Sequence, residues 1–282
     1  IIFGHAVKIY FQEAFEKHAD TLKELGIQPN DGLGSVLRLI DGLPYSERAE
    51  IEADIRHCYE IRPEMAMVDS HKKIDEAIAR VAEARQSVGP DVGIGIDFHG
   101  RVHRPMAKAL LRELEPFHPM FVEEPVLPEH LPSLKHIAGN LGYPLATGER
   151  LHTRYQFRDL LQDGMIDIIQ PDLSHCGGIS EGLKIASMAG AFDVALAPHC
   201  PLGPLTLAAS LQLDAVCHNA FIQEQSMGIH YNQGNDVLDY LTDKSPLKIE
   251  DGFINIPTGP GLGVEIDEAY VEERSKVGHR WR

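Results

Sequence analysis

The sequence predicts an α/β protein whose parallel strands are arranged as in a (β/α) barrel. From residue 92 onward, short apolar runs alternate with amphipathic helical segments, which is the order of parallel strands joined by crossover helices. Glu123 follows Asp97 by 26 residues, and Glu149 follows Glu123 by the same interval. Uniform units with a polar residue at each strand end favour a barrel over a doubly wound sheet. The latter would show a glycine-rich phosphate turn after its first strand.

The first ninety residues are the least regular part of the chain. Residues 6–11 fit a strand, and residues 13–25 have helical spacing that stops at Gly26. Residues 58–68 show no clear strand. Residues 70–87 form a predicted helix, with Ser70 as its cap and an apolar stripe that begins at Ile74. The sequence therefore predicts a barrel that could be incomplete at its first two strands.

Strand-like runs and helical patterns alternate clearly through the rest of the chain. The runs are at 92–98, 119–123, 144–147, 166–170, 193–197 and 219–223, and the helical patterns are at 104–115, 129–139, 154–163, 178–190 and 205–216. An edge strand is expected at 253–256, followed by a polar tail from residue 268. We divide the chain into a divergent N-terminal part with possible first barrel units (1–90), barrel units that carry the active site (91–225) and a C-terminal return segment and tail (226–282).

Composition and charge restrict the class of protein. With 43% apolar and 24% charged residues in 282, the chain can bury the core of one large domain. A net charge of −16 argues against binding to nucleic acid or to an anionic membrane surface. The four cysteines form no CxxC pair and are expected to be reduced thiols. The chain starts without Met or a basic leader and has no membrane-length apolar run, so we expect a cytoplasmic protein whose start is a cut.

Three carboxylates at matched positions predict a metal site. Asp97, Glu123 and Glu149 stand at the ends of consecutive predicted strands and would converge at one rim of the barrel. Crowded carboxylates repel each other and stay ionised at neutral pH around a cation. Oxygen ligands on rigid strands, with room for water and substrate oxygens, suit Mg²⁺. The simpler alternative is that the three are separate solvated carboxylates.

Two histidines flank this predicted metal site. Asp172 and His199 end the two following strands, and a carboxylate hydrogen-bonded to an imidazole fixes its tautomer and raises its basicity, as a general base requires. His99 is two residues beyond Asp97 and is expected on the same face of that strand. A single histidine is more often a packed or surface residue. A metal between two histidines, however, suits removal of an α-proton by His199 and departure of a β-hydroxyl assisted by His99.

These motifs resemble the enolase superfamily, mandelate racemase subgroup. The resemblance rests on Asp97-Phe-His99-Gly-Arg101, Phe-Val-Glu123-Glu124-Pro, Gly-Glu149-Arg150, Gln170-Pro-Asp172 and Ala197-Pro-His199, and it covers about residues 92–282. The runs that begin at Cys200 and Gln223 are similar to those of the galactonate dehydratases in that subgroup. A Lys or His base with Mg²⁺ is the general mechanism of the superfamily.

The resemblance implies a specific function and further site residues. It implies an Mg²⁺-dependent hydro-lyase that converts galactonate to 2-keto-3-deoxygalactonate, with Asp97, Glu123 and Glu149 as metal ligands, Asp172 and His199 as the base dyad, His99 as the acid and Glu224 as a substrate contact. Arg101 and Arg150 either bind the substrate carboxylate or balance the acidic cluster. Gluconate or mannonate are the alternative substrates. The expected partner is thus a small acid sugar, and self-association into a homo-oligomer is common in the family.

The sequence also departs from the family pattern in its N-terminal part. The family carries an N-terminal capping domain that closes over the barrel and reads the distal end of the substrate, and we expect this chain to lack it. The residues expected for the second barrel strand do not match the family. The alternative function is therefore a truncated relative that keeps the metal site without turnover.

Overall fold

The computed structural model describes two compact units, residues 1–119 and residues 120–282. The described residues are 68–227 except Asn140, 236–277 and 18–26, together with the single positions 40, 43, 44, 48 and 51. The strand expected at 6–11 and nearly all of the irregular stretch at 58–68 lie outside them. The division of the chain at residues 90 and 225 stays a prediction.

The described part of the first unit contains two long helices and one short strand. Its described elements are α1 (Ala19–Glu24), α2 (His71–Val88), β1 (Gly95–Asp97), α3 (Arg104–Leu114) and a 3₁₀ turn (Glu115–Phe117). The Ser70 hydroxyl accepts the backbone N–H of Lys73 and caps α2 as predicted. α2 packs against α3. The Arg85 guanidinium fixes the end of α2, because it donates to the backbone carbonyls of Gly89, Val92 and Phe117.

The second unit contains four short parallel strands. They are β2 (Phe121–Glu123), β3 (Leu145–Thr147), β4 (Ile168–Ile169) and β5 (Ala195–Leu196), hydrogen-bonded in that order. The register places Glu123 opposite Ala146, Thr147 opposite Ile169, and Ile169 opposite Leu196. Strand order thus follows chain order, and the carboxyl ends of all four strands lie at the same edge of the sheet.

A helix follows each strand, as in a (β/α) repeat. β2 is followed by a 3₁₀ helix (Pro128–Ser133) and α4 (Leu134–Ile137), β3 by α5 (Arg154–Gln162), β4 by α6 (Gly178–Gly190), and β5 by α7 (Pro204–Asp214). α6 packs between α5 and α7 and covers β5. Phe157, Ile185, Ala186 and Leu213 are fully buried on these helices. The alternation predicted from the sequence is confirmed in this unit.

The C-terminal part forms a small layer of its own. It contains two 3₁₀ turns (Val237–Tyr240 and Ser245–Leu247), the antiparallel pair β6 (Ile249–Glu250) and β7 (Phe253–Ile254), and α8 (Glu268–Val277). Leu241 and Leu247 join Leu207 and Leu211 of α7 in one apolar cluster, which attaches this layer to the repeat.

Three predicted elements differ from those in the structure. The helix expected at 129–139 is a 3₁₀ segment followed by a single α-turn, because Pro132 lacks the backbone N–H that a continuous helix needs. The strand expected at 219–223 is reduced to a bridge between Ala220 and Leu196. The tail expected from residue 268 is a helix through Val277. None of the helices in the described parts of the chain is long and apolar enough to cross a membrane.

Candidate active site

The strand ends of the second unit carry four ionisable residues that the sequence predicts as functional. Glu123 ends β2, and Glu149, Asp172 and His199 follow β3, β4 and β5 within three residues. All four side chains are largely excluded from solvent, and Asp172 is fully buried. Ionisable groups are rarely buried unless they are paired, so this placement indicates a built polar site.

His199 lies between two of these carboxylates. Its Nδ1 is 2.8 Å from Asp172 Oδ2, and its Nε2 is 2.9 Å from Glu149 Oε2. The pairing of Asp172 with His199 that the sequence suggested is therefore present. Glu149 is a second partner of the same imidazole, and this contact was not predicted from the sequence.

Asp172 is held as a carboxylate by two neighbours. Its Oδ1 accepts the backbone N–H of Ser174 at 2.7 Å and the Ser174 hydroxyl at 2.5 Å, while Oδ2 faces His199. Burial by itself raises the pKa of Asp172, but the hydrogen bonds from His199 and Ser174 outweigh it, and the net pKa is lowered. Asp172 therefore stays ionised beside the imidazole and orients it.

The electrostatic environment of His199 strongly favours its protonated form. Burial lowers the pKa of His199, but the contacts with Asp172 and Glu149 prevail and raise it to about 10. Because a general base must be neutral when it accepts a proton, the contacts with Asp172 and Glu149 oppose that role of His199 in the arrangement described.

Arg150 is engaged with the acidic cluster. Its Nη2 is 3.0 Å from Glu124 Oε2, and its Nε is 3.3 Å from Glu149 Oε1. These contacts favour the predicted role of Arg150 as a counter-charge over the alternative role as a substrate ligand. Glu124 was not predicted as a site residue, although the double acid of the run Phe-Val-Glu123-Glu124-Pro was visible in the sequence.

Glu224 contacts the loop that carries the histidine. Its Oε2 accepts the backbone N–H of Cys200 at 2.8 Å, and its predicted role as a substrate contact stays a prediction. Cys200 itself is a packed thiol. It is 2% exposed in an apolar cluster, and burial raises its pKa to about 12, so it cannot serve as a nucleophile near neutral pH. Cys176 and Cys217 are also reduced.

Asp97, His99 and Arg101 belong to the first unit. β1 ends at Asp97, and His99 has a left-handed backbone with φ of 47°, so the same-face argument for Asp97 and His99 does not extend past the strand end. The His99 backbone N–H donates to Asp97 Oδ1 at 2.6 Å. The Arg101 carbonyl accepts the Val68 N–H. The roles of these three residues stay predictions.

Two further polar residues border the dyad and were missed in the sequence. His175 Nδ1 is 3.3 Å from the Glu149 carbonyl and 3.9 Å from Asp172 Oδ2. Ser174 holds Asp172, and the spacing Asp-x-Ser, typical of an Asx turn, was the available signal for it. A groove of about 450 Å³ lies beside the starts of α6 and α7, and its lining includes Ser174 and Thr206 but neither Asp172 nor His199.

The donor set of the second unit fits a hard divalent cation in its chemistry. Glu123 and Glu149 are 8% and 6% exposed, and they supply buried carboxylate oxygens from neighbouring strands. Among the described residues, however, no three Asp, Glu, His or Cys side chains are already arranged around one point as metal ligands. The carboxylate of Glu149 is instead turned to Arg150 and His199.

Two family models match the chain. The model described as "Enolase C-terminal domain-like" matches residues 49–270, which include the whole described second unit up to Tyr270. A model of monomeric isocitrate dehydrogenase matches residues 1–80, most of which lie outside the described residues.

Relatives that are similar in sequence support the match to the first family model. The chain is 56% identical over 219 residues to a D-galactonate dehydratase of Ralstonia nicotianae and 53% identical to one of Pectobacterium atrosepticum. Each match covers 78% of this chain and 57% of the relative. The chain thus spans little more than half the length of these relatives.

Solved structures agree with this assignment. A member of the enolase superfamily from Salmonella Typhimurium superposes with a TM-score of 0.66 at 28% identity, covering 73% of this chain and 51% of that one. A mandelate racemase/muconate lactonizing enzyme-like protein from Rubrobacter xylanophilus has a TM-score of 0.66 at 32% identity, covering 72% and 51%. The predicted fold class is confirmed, with the parallel repeat forming part of a (β/α) barrel, and the chain belongs to the enolase C-terminal domain-like family of the enolase superfamily.

Proposed function

We propose that the chain is a sugar-acid dehydratase that converts galactonate to 2-keto-3-deoxygalactonate with the help of Mg²⁺. The observation that carries the proposal is the buried dyad of Asp172 and His199 beside two strand-end carboxylates. Relatives that share more than half of their aligned residues with this chain are named D-galactonate dehydratases, which supports galactonate as the substrate.

Asp97, Glu123 and Glu149 would hold the cation. When bound, Mg²⁺ supplies a positive charge that stabilises the negative charge developing on the substrate carboxylate as the α-proton is lost. Its charge would also offset the pull of Glu149 on the imidazole, so we expect the pKa of His199 to fall from about 10 toward the range of a working base.

His199 would take the α-proton of the substrate on Nε2. Asp172 accepts from Nδ1 and so favours the tautomer with its lone pair on Nε2, and Glu149, which lies 2.9 Å from Nε2, would have to turn to the cation to expose it. Ser174 in turn fixes Asp172, and the imidazole is mostly buried, so its ring plane is set before the substrate arrives. A positioned base of this kind contributes about 10²–10⁴-fold to a rate.

His99 would supply the second proton. In its protonated form it would donate to the departing β-hydroxyl, which leaves as water, and the resulting enol gives the 2-keto acid. Its side chain is solvent-exposed, as a group that must be reprotonated in each cycle requires. Glu224 and Arg101 would contact the hydroxyls and carboxylate of the small acid sugar.

The test is 2-keto-3-deoxy acid formation by the 282-residue chain on galactonate, gluconate and mannonate, with Mg²⁺ and with EDTA. We expect activity on galactonate that EDTA abolishes and that His199→Asn lowers by about 10³-fold. His218→Asn is the matched control. This residue lies beside Gly190, the last residue of α6, at the end of that helix opposite to the strand end that carries Asp172, and its loss should leave the rate unchanged.

The alternative is a relative that keeps the site without turnover. The observation in its favour is that, among the described residues, no three acidic or histidine side chains are arranged around one point, since Glu149 is turned to Arg150 and His199. No product from any of the three acids, from a chain shown by circular dichroism to be folded and by calorimetric titration to bind Mg²⁺, would establish this alternative and overturn the dehydratase. Product from gluconate or mannonate alone would correct only the substrate.

A further inference from the structure

We propose that Glu124 is a positioning residue, which acts through Arg150 to fix the carboxylate of Glu149. The inference rests on the proposed function, because it assigns Glu149 to the cation and to the base. Glu124 would touch neither the cation nor the substrate. It would fix the plane in which the carboxylate of Glu149 is presented to its neighbours.

The contacts form one continuous polar chain in the second unit. Glu124 Oε2 is 3.0 Å from Arg150 Nη2, Arg150 Nε is 3.3 Å from Glu149 Oε1, and Glu149 Oε2 is 2.9 Å from His199 Nε2. The two ends of Arg150 are thus occupied by two different carboxylates. Because a guanidinium is planar and rigid, holding one end at Glu124 restricts where the other end can hold Glu149.

The buried position and the backbone conformation of Glu124 both reduce the stability of the fold, which argues that the residue is kept for function. Its side chain is 1% exposed, although a carboxylate loses its hydration when it is buried. Its backbone has φ of 43°, which is unfavourable for a residue with a Cβ. Strained and buried charged residues of this kind concentrate at functional sites.

Glu149 contacts two different partners in this site, one with each carboxylate oxygen. It accepts from Arg150 with Oε1 and meets His199 with Oε2, so a partial rotation of its carboxylate plane would weaken both contacts. A carboxylate that binds a cation next to a general base needs a fixed orientation. Partners outside the immediate ligand shell supply that orientation in metal sites, and their loss lowers metal affinity or activity by about 10–100-fold.

A second ion pair in the same unit provides the control. Arg154 Nη1 is 2.7 Å from Glu181 Oε2, and the pair joins α5 to α6 without contact to the dyad. The Arg154 side chain is 36% exposed and that of Arg150 is 33% exposed, so the cations are similarly accessible. Glu181→Gln should therefore weaken the fold without changing the site.

The experiment compares Glu124→Gln with Glu181→Gln by calorimetric titration with Mg²⁺, by steady-state kinetics and by thermal denaturation. For Glu124→Gln we expect a Kd for Mg²⁺ raised by about tenfold and a kcat lowered by about 10–100-fold, with KM changed far less. Glu124→Asp keeps the charge and should recover part of both losses. Glu181→Gln should lower the Tm and leave Kd and kcat as in the wild type.

Each outcome decides the inference. A folded Glu124→Gln protein with wild-type Kd and kcat overturns the positioning role, even if its Tm falls. If that variant does not fold, Arg150→Lys decides in its place, because it keeps the charge and loses the planar fork, and a wild-type Kd and kcat there overturn the role equally. A wild-type chain that neither binds Mg²⁺ nor forms product overturns the proposed function first and this inference with it.

Discussion

Asp214, the last residue of α7, keeps one carboxyl oxygen buried without a hydrogen-bond partner among the described residues. Burial raises the pKa of Asp214 from 3.8 to about 7. The carbonyl groups at the end of a helix also disfavour a negative charge there. The folded protein therefore retains the proton of Asp214 over a pH range in which an unfolded chain has released it.

This proton should make stability depend on pH. Between about pH 4 and pH 7 the folded state binds more protons at Asp214 than the unfolded state, so stability falls as pH rises and the full penalty is present above pH 7. We expect Asp214→Asn to gain on the order of 1–3 kcal/mol over the wild type at pH 8 and little at pH 5. Urea denaturation of both proteins at the two pH values measures this difference, and an equal difference at both would contradict it.

Individual site residues were predictable where their position along a strand determined their neighbours. Asp172 and His199 each follow one of two adjacent parallel strands by three residues, which places them at the same edge of the sheet, where their side chains meet at 2.8 Å. Glu124 was not predictable, because neighbouring residues of a strand normally face opposite sides. Only the left-handed turn at φ of 43° and the contact with Arg150 show its place. The second contact of His199 with Glu149 likewise depends on side-chain conformations that spacing does not determine.

At the scale of the elements, the turn after β3 sets the position of Glu149. Gly148 has φ of 150°, and a Cβ there would stand 2.8 Å from the backbone nitrogen of Gln170 and 2.9 Å from its carbonyl carbon. Backbone atoms of the neighbouring strand end cannot move aside as a side chain can. Only glycine lets the two strand ends approach this closely.

Gly148→Ala should therefore displace Glu149 and lower both stability and activity. We expect a loss of about 2 kcal/mol or more in the free energy of unfolding and a fall in kcat of at least about tenfold. Gly182→Ala on α6 is the matched control. Its Cβ would meet side-chain carbons of Leu173 and Leu213, which can shift, so it should cost stability without a comparable loss of kcat. Equal losses of kcat in the two variants would argue against this account of the turn.

Helices and strands were predicted well where residues in the sequence mark their starts and ends. α6 occupies residues 178–190 as expected, with glycines at its start. The segment at 129–139 had helical spacing, but Pro132 limits it to a 3₁₀ segment and one α-turn. The expected strand at 219–223 stops pairing after Phe221, where side chains of Gln223 and Ser226 take over the contacts to the carbonyls of residues 198 and 201. Apolar composition alone does not show that change.

At the scale of the whole molecule, the chain is strongly acidic, and its site concentrates that charge. The net charge is −16, and three buried carboxylates, Glu123, Glu149 and Asp172, lie at the ends of three adjacent strands. The alternation of strands and helices was enough to predict the fold class, because it repeats over more than a hundred residues. The same repeat does not extend to the residues before 68, where the pattern is the least regular in the chain.

An acidic site of this kind should be stabilised by the cation that it binds. A ligand that binds only the folded state adds about 2.7 kcal/mol of stability at a concentration one hundred times its Kd. We therefore expect Mg²⁺ to raise the Tm of the wild type and EDTA to reverse the increase, measured by calorimetry at constant ionic strength. Na⁺ at equal ionic strength controls for simple screening of the net charge.

Two variants separate binding from catalysis in this experiment. His199→Asn removes the base and keeps the carboxylates, so its Tm should still rise with Mg²⁺ although its activity is lost. Glu149→Gln removes a ligand and leaves Arg150 beside Glu124, so its starting Tm will differ, and only the increase caused by Mg²⁺ is compared. That increase should be much smaller than in the wild type. A Tm increase of wild-type size in Glu149→Gln would place the cation elsewhere and remove Glu149 from the predicted ligands.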